Sequence, residues 1–320
     1  MNPSDKDKYC ELCEQEPVPL FMQAWWMDAV CVNGSWEVFL YEKDGKIIAA
    51  MPFHVRKKFG LKFIIEPQLT QHSGIWIDYP VNISLRKRYE LEKRVCNYFI
   101  EQLEKYGFAY YQQTFHYSFT NWQPFYWKGF KQTTRYTFMI EDIANPQDIY
   151  NNFGYGKKQH IRKAAEKLQI NFTTSPEEFF AHHAQNLAAI GDKITYSKDL
   201  LVRIYEAAKA RNQGFIIAAC DKHEIHAALF VVWDQHSAYD LLSSIHIQYR
   251  SSGASSLVVM EAIKALTDKT KIFDFEGSML EPVAESFLQF SNRIASYNEI
   301  TKSSSFFINF LMKTRHQLRF

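Results

Sequence analysis

A short polar bend is the part of this sequence whose residue types could do chemistry. The run Arg250-Ser251-Ser252-Gly253-Ala254-Ser255-Ser256 is small and polar, and its glycine permits close backbone approach. It leads into a helix whose first N–H groups lack internal partners, and Ser255 or Ser256 is suited to cap that helix. A helix start of this kind attracts phosphate. The bend therefore predicts an anion site, with an ordinary strand-to-helix turn as the alternative.

Two elements of regular structure must position this bend. Tyr239–Ile247 is apolar enough for a strand, and Ile272–Glu276 reads as a second, shorter one. Between them, apolar residues recur at the spacing of one helix face, at positions Val259, Ala262, Ile263 and Leu266. The stretch is therefore predicted to be a strand, a turn, a helix and a strand.

Two acidic residues close this unit. Alternation places Asp274 and Glu276 on one side of their strand, and Glu276 falls at its carboxyl end, where ligands of α/β sheets bind. A carboxylate there could act as a general base toward an amine, with a pKa raised by neighbouring phenylalanines. His246 is a further candidate for the base. The alternative is a strand-end acid paired with Arg250 or Lys271.

The bend resembles a known ligand-binding turn. Arg250-x-x-Gly253-x-Ser255 is similar to the acyl-CoA pyrophosphate turn of GNAT-type acetyltransferases, from which it departs in having Ser255 in place of glycine or alanine. Phe273–Ser278 and Lys157–Ala164 resemble the last core strand and the basic helix of the FemAB-like or CelD-like branch of that superfamily. The resemblance implies an acyl-CoA site, with acetyl-CoA as co-substrate, formed by Ile245, Ile247, Arg250, Ser251, Ser252, Gly253, Ala254, Ser255 and Ser256.

Two further groups of residues are predicted to bind the substrate. Lys158 and Arg162 are i, i+4 neighbours that repel each other unless an anion lies between them, and Lys163 adds a third charge. A solvated basic face is the alternative. Thr70, His72 and Trp76 form the second group. Thr70 and His72 lie in a polar loop ending beside Trp76 that resembles a cleft-facing run of FemAB-like proteins, although the loop could also be a plain connector.

The two halves of the chain share one pattern. Phe39–Val55 aligns with Ile217–Trp233 at a constant offset, and both segments read as hairpins with an Ala-Ala pair on the returning strand. Each half then runs strand, helix, strand. The predicted fold is α/β with mixed sheets flanked by helices, in two tandem GNAT-like domains over residues 1–144 and 145–320. The first half has no glycine between Ile75 and Tyr106, so the second half is predicted to hold the donor.

Composition narrows the class of protein. The chain has 320 residues, of which 47% are hydrophobic, enough for two cores. A net charge of +2 argues against bulk nucleic-acid binding. Five scattered cysteines predict reduced thiols in the cytoplasm and no metal site. No signal peptide and no membrane span are expected, while Phe306–Arg319 reads as a basic amphipathic end.

The resemblance implies an N-acyltransferase that moves an acyl group from acyl-CoA to an amine acceptor bound in the interdomain cleft. One alternative is a tRNA-dependent aminoacyltransferase acting on a cell-wall precursor, with tRNA as partner. The long helical hairpin of some tRNA-dependent members is missing, which favours acyl-CoA. The other alternative is a non-catalytic protein that binds a ligand in the cleft.

Overall fold

The computed structural model describes residues 3–305 together with Ile308 and Met312. The basic end predicted over Phe306–Arg319 lies outside the described residues, apart from those two. The chain forms two units. The N-terminal unit comprises the described residues up to Arg135 and those from Ser296 onward, and the C-terminal unit is Tyr136–Ala295.

The N-terminal unit is a mixed sheet with one long helix. Its helices and strands are α1 Asp5–Gln15, α2 Ala24–Val30, β1 Ser35–Lys43, β2 Lys46–Lys58, β3 Leu61–Ile64, β4 Trp76–Ile77, α3 Leu85–Tyr106, β5 Tyr110–Thr114 and α4 Gln123–Trp127. The hairpin β1–β2 is antiparallel, whereas β3 and β5 are parallel and joined through α3. The long helix α3 buries its apolar face at Val95, Phe99 and Leu103. A 3₁₀ turn at Leu20–Met22 precedes α2.

The C-terminal unit repeats this plan with more helices. Its elements are β6 Lys131–Glu141, α5 Pro146–Asn152, α6 Tyr155–Ala165, β7 Gln169–Asn171, α7 Pro176–Ala189, α8 Lys198–Ala210, β8 Gly214–Cys220, β9 Ile225–Trp233, β10 Ser237–Ile245, α9 Ala254–Leu266, β11 Ile272–Asp274, α10 Glu281–Leu288 and β12 Arg293–Ser303. Hairpin β8–β9 is antiparallel, and β10 and β11 are parallel strands joined through α9. The apolar face of α9 packs into the core of this unit.

The repeat in the sequence is also a repeat in register. Leu40 pairs with Ala50 in the first hairpin, and Ala218 pairs with Ala228 in the second. Both pairs are buried. The predicted α/β fold with mixed sheets flanked by helices is confirmed.

Two strands change unit along their length. β6 begins in the N-terminal unit and pairs with β11, and β12 begins in the C-terminal unit and pairs with β5. The domain boundary expected between residues 144 and 145 stays a prediction. The structure itself divides the chain after Arg135 and again after Ala295, because β12 returns to the N-terminal sheet.

Among the helices that the structure describes, none combines the length and the apolar character needed to cross a membrane.

Candidate functional site

A cavity of about 470 Å³ lies at the carboxyl end of β10 in the C-terminal unit. This volume is in the range of small-ligand sites. Side chains of α6, α7 and α10 line it together with the end of β10 and the start of α9. The lining residues are Lys157, His160, His183, Asn186, Leu187, Ile190, Ser243, Ser244, Ile245, Arg250, Ser255, Ser256 and Ser286.

The bend that precedes α9 is held against α6. Gly253 is the N-cap of α9, with φ at +82°, and a Cβ added there would lie 2.4 Å from the carbonyl oxygen of His160. Only glycine accommodates both the left-handed backbone and this close contact. The expectation that Ser255 or Ser256 caps the helix is wrong, because α9 begins at Ala254 and both serines lie in its first turn.

The first turn of α9 offers backbone donors to the cavity. The Ala254 N–H donates to Ser252 Oγ at 3.2 Å. Within the part of the chain that the structure describes, no group accepts from the N–H of Ser255 or Ser256. Both residues line the cavity, as does Arg250, so N–H donors and a guanidinium are present in one space. This combination suits a phosphate or another anion.

The basic helix α6 contributes different residues from those predicted. Lys157 and His160 line the cavity, whereas Lys158, Arg162 and Lys163 are absent from its lining. The Lys157 ammonium donates to Ser286 Oγ at 2.9 Å and lies 4.3 Å from the centre of the Phe290 ring. Burial lowers the pKa of Lys157.

The predicted basic residues of α6 have other surroundings. Lys158 Nζ donates to the carbonyl oxygen of Asn151 at 2.9 Å. Arg162 and Lys163 lie in the last turn of α6, where positive charge complements the helix dipole. Their proposed role in substrate binding stays a prediction.

The nine residues predicted to bind acyl-CoA divide into two sets. Ile245, Arg250, Ser255 and Ser256 line the cavity. The other five are absent from its lining, and they are Ile247, Ser251, Ser252, Gly253 and Ala254. Among these, Ser252 Oγ accepts a hydrogen bond from the first backbone N–H of α9, and Ala254 is buried.

The two predicted acids belong to a buried group of three. Asp274 accepts hydrogen bonds from the Thr137 hydroxyl and the Glu276 N–H, and Asp240 on β10 accepts from Ser243 Oγ at 2.8 and 2.9 Å. Burial raises the pKa of Asp240 to about 7 and that of Asp274 to about 6. Burial, and then the nearby Asp274 and Asp240 charges, raise the pKa of Glu276 well above its usual value.

The predicted strand over Ile272–Glu276 is too long. β11 ends at Asp274, and Glu276 has a left-handed backbone with φ at +58°. Neither Asp274 nor Glu276 lines the cavity. Their predicted role as general base stays a prediction.

His246 lies beyond β10 and outside the cavity lining. Its ring is buried, its Nε2 lies 3.5 Å from Glu224 Oε2, and its Nδ1 accepts from the Gln248 N–H at 3.3 Å. Its predicted catalytic role stays a prediction.

Of the three substrate candidates in the N-terminal unit, His72 and Trp76 are buried and Thr70 is half-buried. Thr70 Oγ1 accepts from Trp26 Nε1 at 3.0 Å, and Trp76 pairs with Ala50 between β4 and β2. His72 is buried edge-on against the Phe21 and His116 rings, and burial holds its pKa well below the usual value.

The sequence interpretation missed a serine–histidine contact beside the cavity, in which Ser244 lines the cavity and His182 lies outside its lining. Ser244 Oγ lies 2.8 Å from His182 Nδ1, and both side chains are buried. His182 lies on α7, far from Ser244 in the sequence, so no local motif marks the pair.

Comparison with known proteins identifies the class. Residues 155–278, which carry α6, β10, the bend and α9, match the family model for the acetyltransferase (GNAT) domain. This segment is therefore similar to a GNAT domain, and the match supports a transferase of the acyl-transferring class. Acyl-CoA is the usual donor of such domains. A comparison with curated proteins found no match.

Solved structures extend the likeness to the whole chain. The structure of FemX superposes with a TM-score of 0.70 at 11% identity, covering 93% of this chain and 96% of that one. L-PGS from Bacillus licheniformis gives 0.57 at 10% identity, with 96% of each chain covered. A tandem GNAT protein from the clavulanic acid biosynthesis pathway gives 0.54 at 9% identity, with 94% of each covered. These likenesses show that the chain has a tandem GNAT-like fold, as predicted.

Proposed function

We propose that the protein is an N-acyltransferase that takes its acyl group from acyl-CoA bound in the cavity of the C-terminal unit and transfers it to an amine. The observation that supports this most is the N–H pair of Ser255 and Ser256 beside Arg250 and Lys157. Among the described residues that line the cavity, none is aspartate or glutamate. A donor that carries phosphates is therefore favoured over a cationic one.

The chain's own residues divide the work of holding the donor. The first-turn amides of α9 and the Arg250 guanidinium would bind the diphosphate, since both are donors fixed to one bend. Lys157 has given up part of its hydration, and an anion would compensate for that loss. Ile245 would provide an apolar contact at the strand end, and acetyl-CoA is the simplest donor to test.

The acceptor is proposed only as an amine. Two separate sets of candidates are proposed to contact it, Thr70, His72 and Trp76 in the N-terminal unit and Lys158, Arg162 and Lys163 in the C-terminal unit. Glu276, Asp274 and His246 are proposed as candidates for the base. Burial raises the pKa of Asp274 to about 6, which suits proton exchange near neutral pH.

Acetyl-CoA is expected to stabilise the protein and to bind Lys157→Met about tenfold more weakly, because one charged contact of roughly 1.4 kcal/mol is lost. Methionine keeps an unbranched apolar stem over the Phe290 ring. Titration calorimetry measures the affinity, and differential scanning calorimetry measures the stabilisation.

Lys158→Met is the matched control. It removes the neighbouring charge on the same helix, and its ammonium contacts the Asn151 carbonyl and not the cavity. Donor affinity within about twofold of wild type is expected for this variant. Equal losses in both variants would show that the cavity does not hold the donor.

Aminoacyl-tRNA remains the alternative donor. The fold shared with FemX is compatible with it, and the same domain could present an aminoacyl ester to an amine. An absence of stabilisation by any acyl-CoA, together with transfer from charged tRNA, would favour that route. Ligand binding without transfer from either donor would favour a binding protein.

A further inference from the structure

The tip of the β2–β3 hairpin in the N-terminal unit carries an exposed phenylalanine in an unusual backbone conformation. Phe59 and Gly60 form the two-residue turn, with φ at +51° and +74°. Positive φ at both central positions is typical of a type I′ turn, which asparagine and glycine favour and which a bulky residue adopts at a cost. Phe59 is 90% exposed, so packing within the chain does not offset that cost.

The residues that flank this turn are basic. They are Arg56, Lys57, Lys58 and Lys62, and no acidic residue lies between positions 56 and 62. Lys57 and Lys62 are directly opposite each other in the strand register, an arrangement in which like charges repel. The Lys62 ammonium donates to the Tyr106 carbonyl oxygen at 2.7 Å. Among the carboxylates that the structure describes, none forms an ion pair with Arg56, Lys57 or Lys58.

The turn extends beyond the strand that flanks β2 on its other side. Val55 is the last residue of β2 with a partner on β1, so residues 56–58 pair with β3 only among the described strands. Lys57 and Lys58 are exposed, and Leu61, which lies opposite Lys58, is 45% exposed. The end of this two-stranded ribbon therefore presents two apolar side chains together with several cations.

The corresponding turn of the C-terminal unit is built differently. At the constant offset of the internal repeat, the β2–β3 turn corresponds to the β9–β10 turn, which reads Asp234-Gln235-His236. Asp234 Oδ1 closes this turn by accepting from the N–H groups of His236 and Ser237, at 2.7 and 2.9 Å. Its exposed residues, Gln235 and His236, are polar. A hairpin at this place in the fold therefore requires neither an exposed phenylalanine nor a cluster of lysines.

We propose that the β2–β3 turn binds the surface of an anionic membrane, with the Phe59 ring inserted at the level of the lipid headgroups and the flanking basic residues on the headgroup phosphates. An apolar side chain beside several cations suits such an interface, because the ring leaves water while each cation is attracted by the negative surface. This inference is independent of the identity of the acyl donor.

The apolar part of the tip favours lipid over the other common polyanion, a nucleic acid. Proteins that bind single strands stack bases on aromatic rings beside positive charge. Leu61 has no π face on which a base could stack, and it lies with Phe59 at the end of the same ribbon. A mixed aliphatic and aromatic tip is therefore better suited to the interface of a bilayer than to a row of bases.

Co-sedimentation of the whole chain with lipid vesicles tests this surface. Wild type is expected to bind vesicles of equimolar phosphatidylglycerol and phosphatidylcholine and not vesicles of phosphatidylcholine alone. Phe59→Asn is expected to weaken binding about tenfold, and Lys57→Gln combined with Lys58→Gln roughly 30-fold. Added salt should weaken the binding of wild type, because it screens the attraction between the lysines and the headgroups.

Phe59→Asn separates a loss of binding from a loss of folding. Asparagine followed by glycine is the preferred sequence for this turn, so urea denaturation is expected to show a stability at least equal to that of wild type. Val81→Asn is the matched control, because Val81 is 91% exposed and the three residues on each side of it include no lysine or arginine. This control is expected to bind anionic vesicles as wild type does.

Phe59→Trp gives a second readout of insertion. Tryptophan at the tip is expected to be quenched by brominated lipid in anionic vesicles, beyond any quenching seen in wild type. The proposal is overturned if wild type does not bind anionic vesicles, or if Phe59→Asn and the double lysine variant both bind them as tightly as wild type does. Binding of single-stranded RNA through these residues, with vesicles left unbound, would also overturn it.

Discussion

Replacing Gly253 with alanine is expected to lower the free energy of unfolding by about 2–5 kcal/mol. A left-handed backbone costs an L-residue roughly 1–2 kcal/mol, and forcing a methyl group into a packed contact costs roughly 1–3 kcal/mol more. At this position the methyl group would meet the backbone of His160, which cannot rotate away as a side chain could. Urea denaturation measures the change.

The same variant should also bind acetyl-CoA less tightly. The contact between Gly253 and His160 sets the spacing between the first turn of α9 and α6, which carries Lys157. Moving the two helices apart would separate the amides of Ser255 and Ser256 from that ammonium. We expect the loss of affinity to be visible by calorimetry in protein that remains folded.

Gly156→Ala is the matched control for this prediction. Gly156 lies in α6 with no atom within 4 Å of an added Cβ, and its φ is not positive. Alanine there should stabilise the protein by about 0.5 kcal/mol, because glycine costs entropy in a helix. A Gly253→Ala variant as stable as wild type would show that the bend does not pack on α6.

The second large expected effect is on the pH dependence of the free energy of unfolding. It arises from the carboxyls of Asp240, Asp274 and Glu276, whose pKa values are raised by burial. Their folded-state pKa values are raised, so between pH 4 and pH 7 the folded protein binds more protons than the unfolded chain. The free energy of unfolding therefore falls as pH rises through this window. Their contribution is most favourable below the unfolded pKa and is lost above the folded pKa.

Asp240→Asn is expected to remove a large part of this dependence. A shift from 3.8 to about 7 corresponds to a penalty on the order of 4 kcal/mol at pH 8. The amide stays neutral and keeps one oxygen for the Ser243 hydroxyl. The variant should be more stable than wild type at pH 8 and about 1 kcal/mol less stable at pH 4, where one hydrogen bond is weakened.

Urea denaturation at several pH values measures these curves. Asp268→Asn changes an exposed acid of the same unit and should alter stability by no more than about 0.5 kcal/mol at any pH tested. Parallel curves for wild type and Asp240→Asn between pH 4 and pH 8 would contradict the burial of a protonated carboxyl.

Local sequence patterns predicted the strand, the bend and the helix that line the cavity. The spacing of Val259, Ala262, Ile263 and Leu266 matches one face of α9, and all four are buried. The bend was recognisable because glycine and small polar residues precede that pattern. The prediction of its capping residue was wrong, because both glycine and serine are common at the start of a helix and one sequence does not distinguish them.

Other features depend on partners distant in the chain. The contact between Ser244 and His182 joins the end of β10 to α7. The residues of neither segment indicate that the two segments lie in contact. The exchange of β6 and β12 is a matter of strand order, which alternation of apolar residues does not encode. Asp240 reads as an ordinary polar strand residue until the fold places it near Asp274.

A crystal structure of the protein with CoA tests the central claim most directly. The account predicts that diphosphate oxygens lie within hydrogen-bond distance of the N–H groups of Ser255 and Ser256, with the Arg250 guanidinium beside them and the pantetheine directed past Ile245. Diphosphate bound elsewhere on the chain, with those two amides facing solvent, would contradict it.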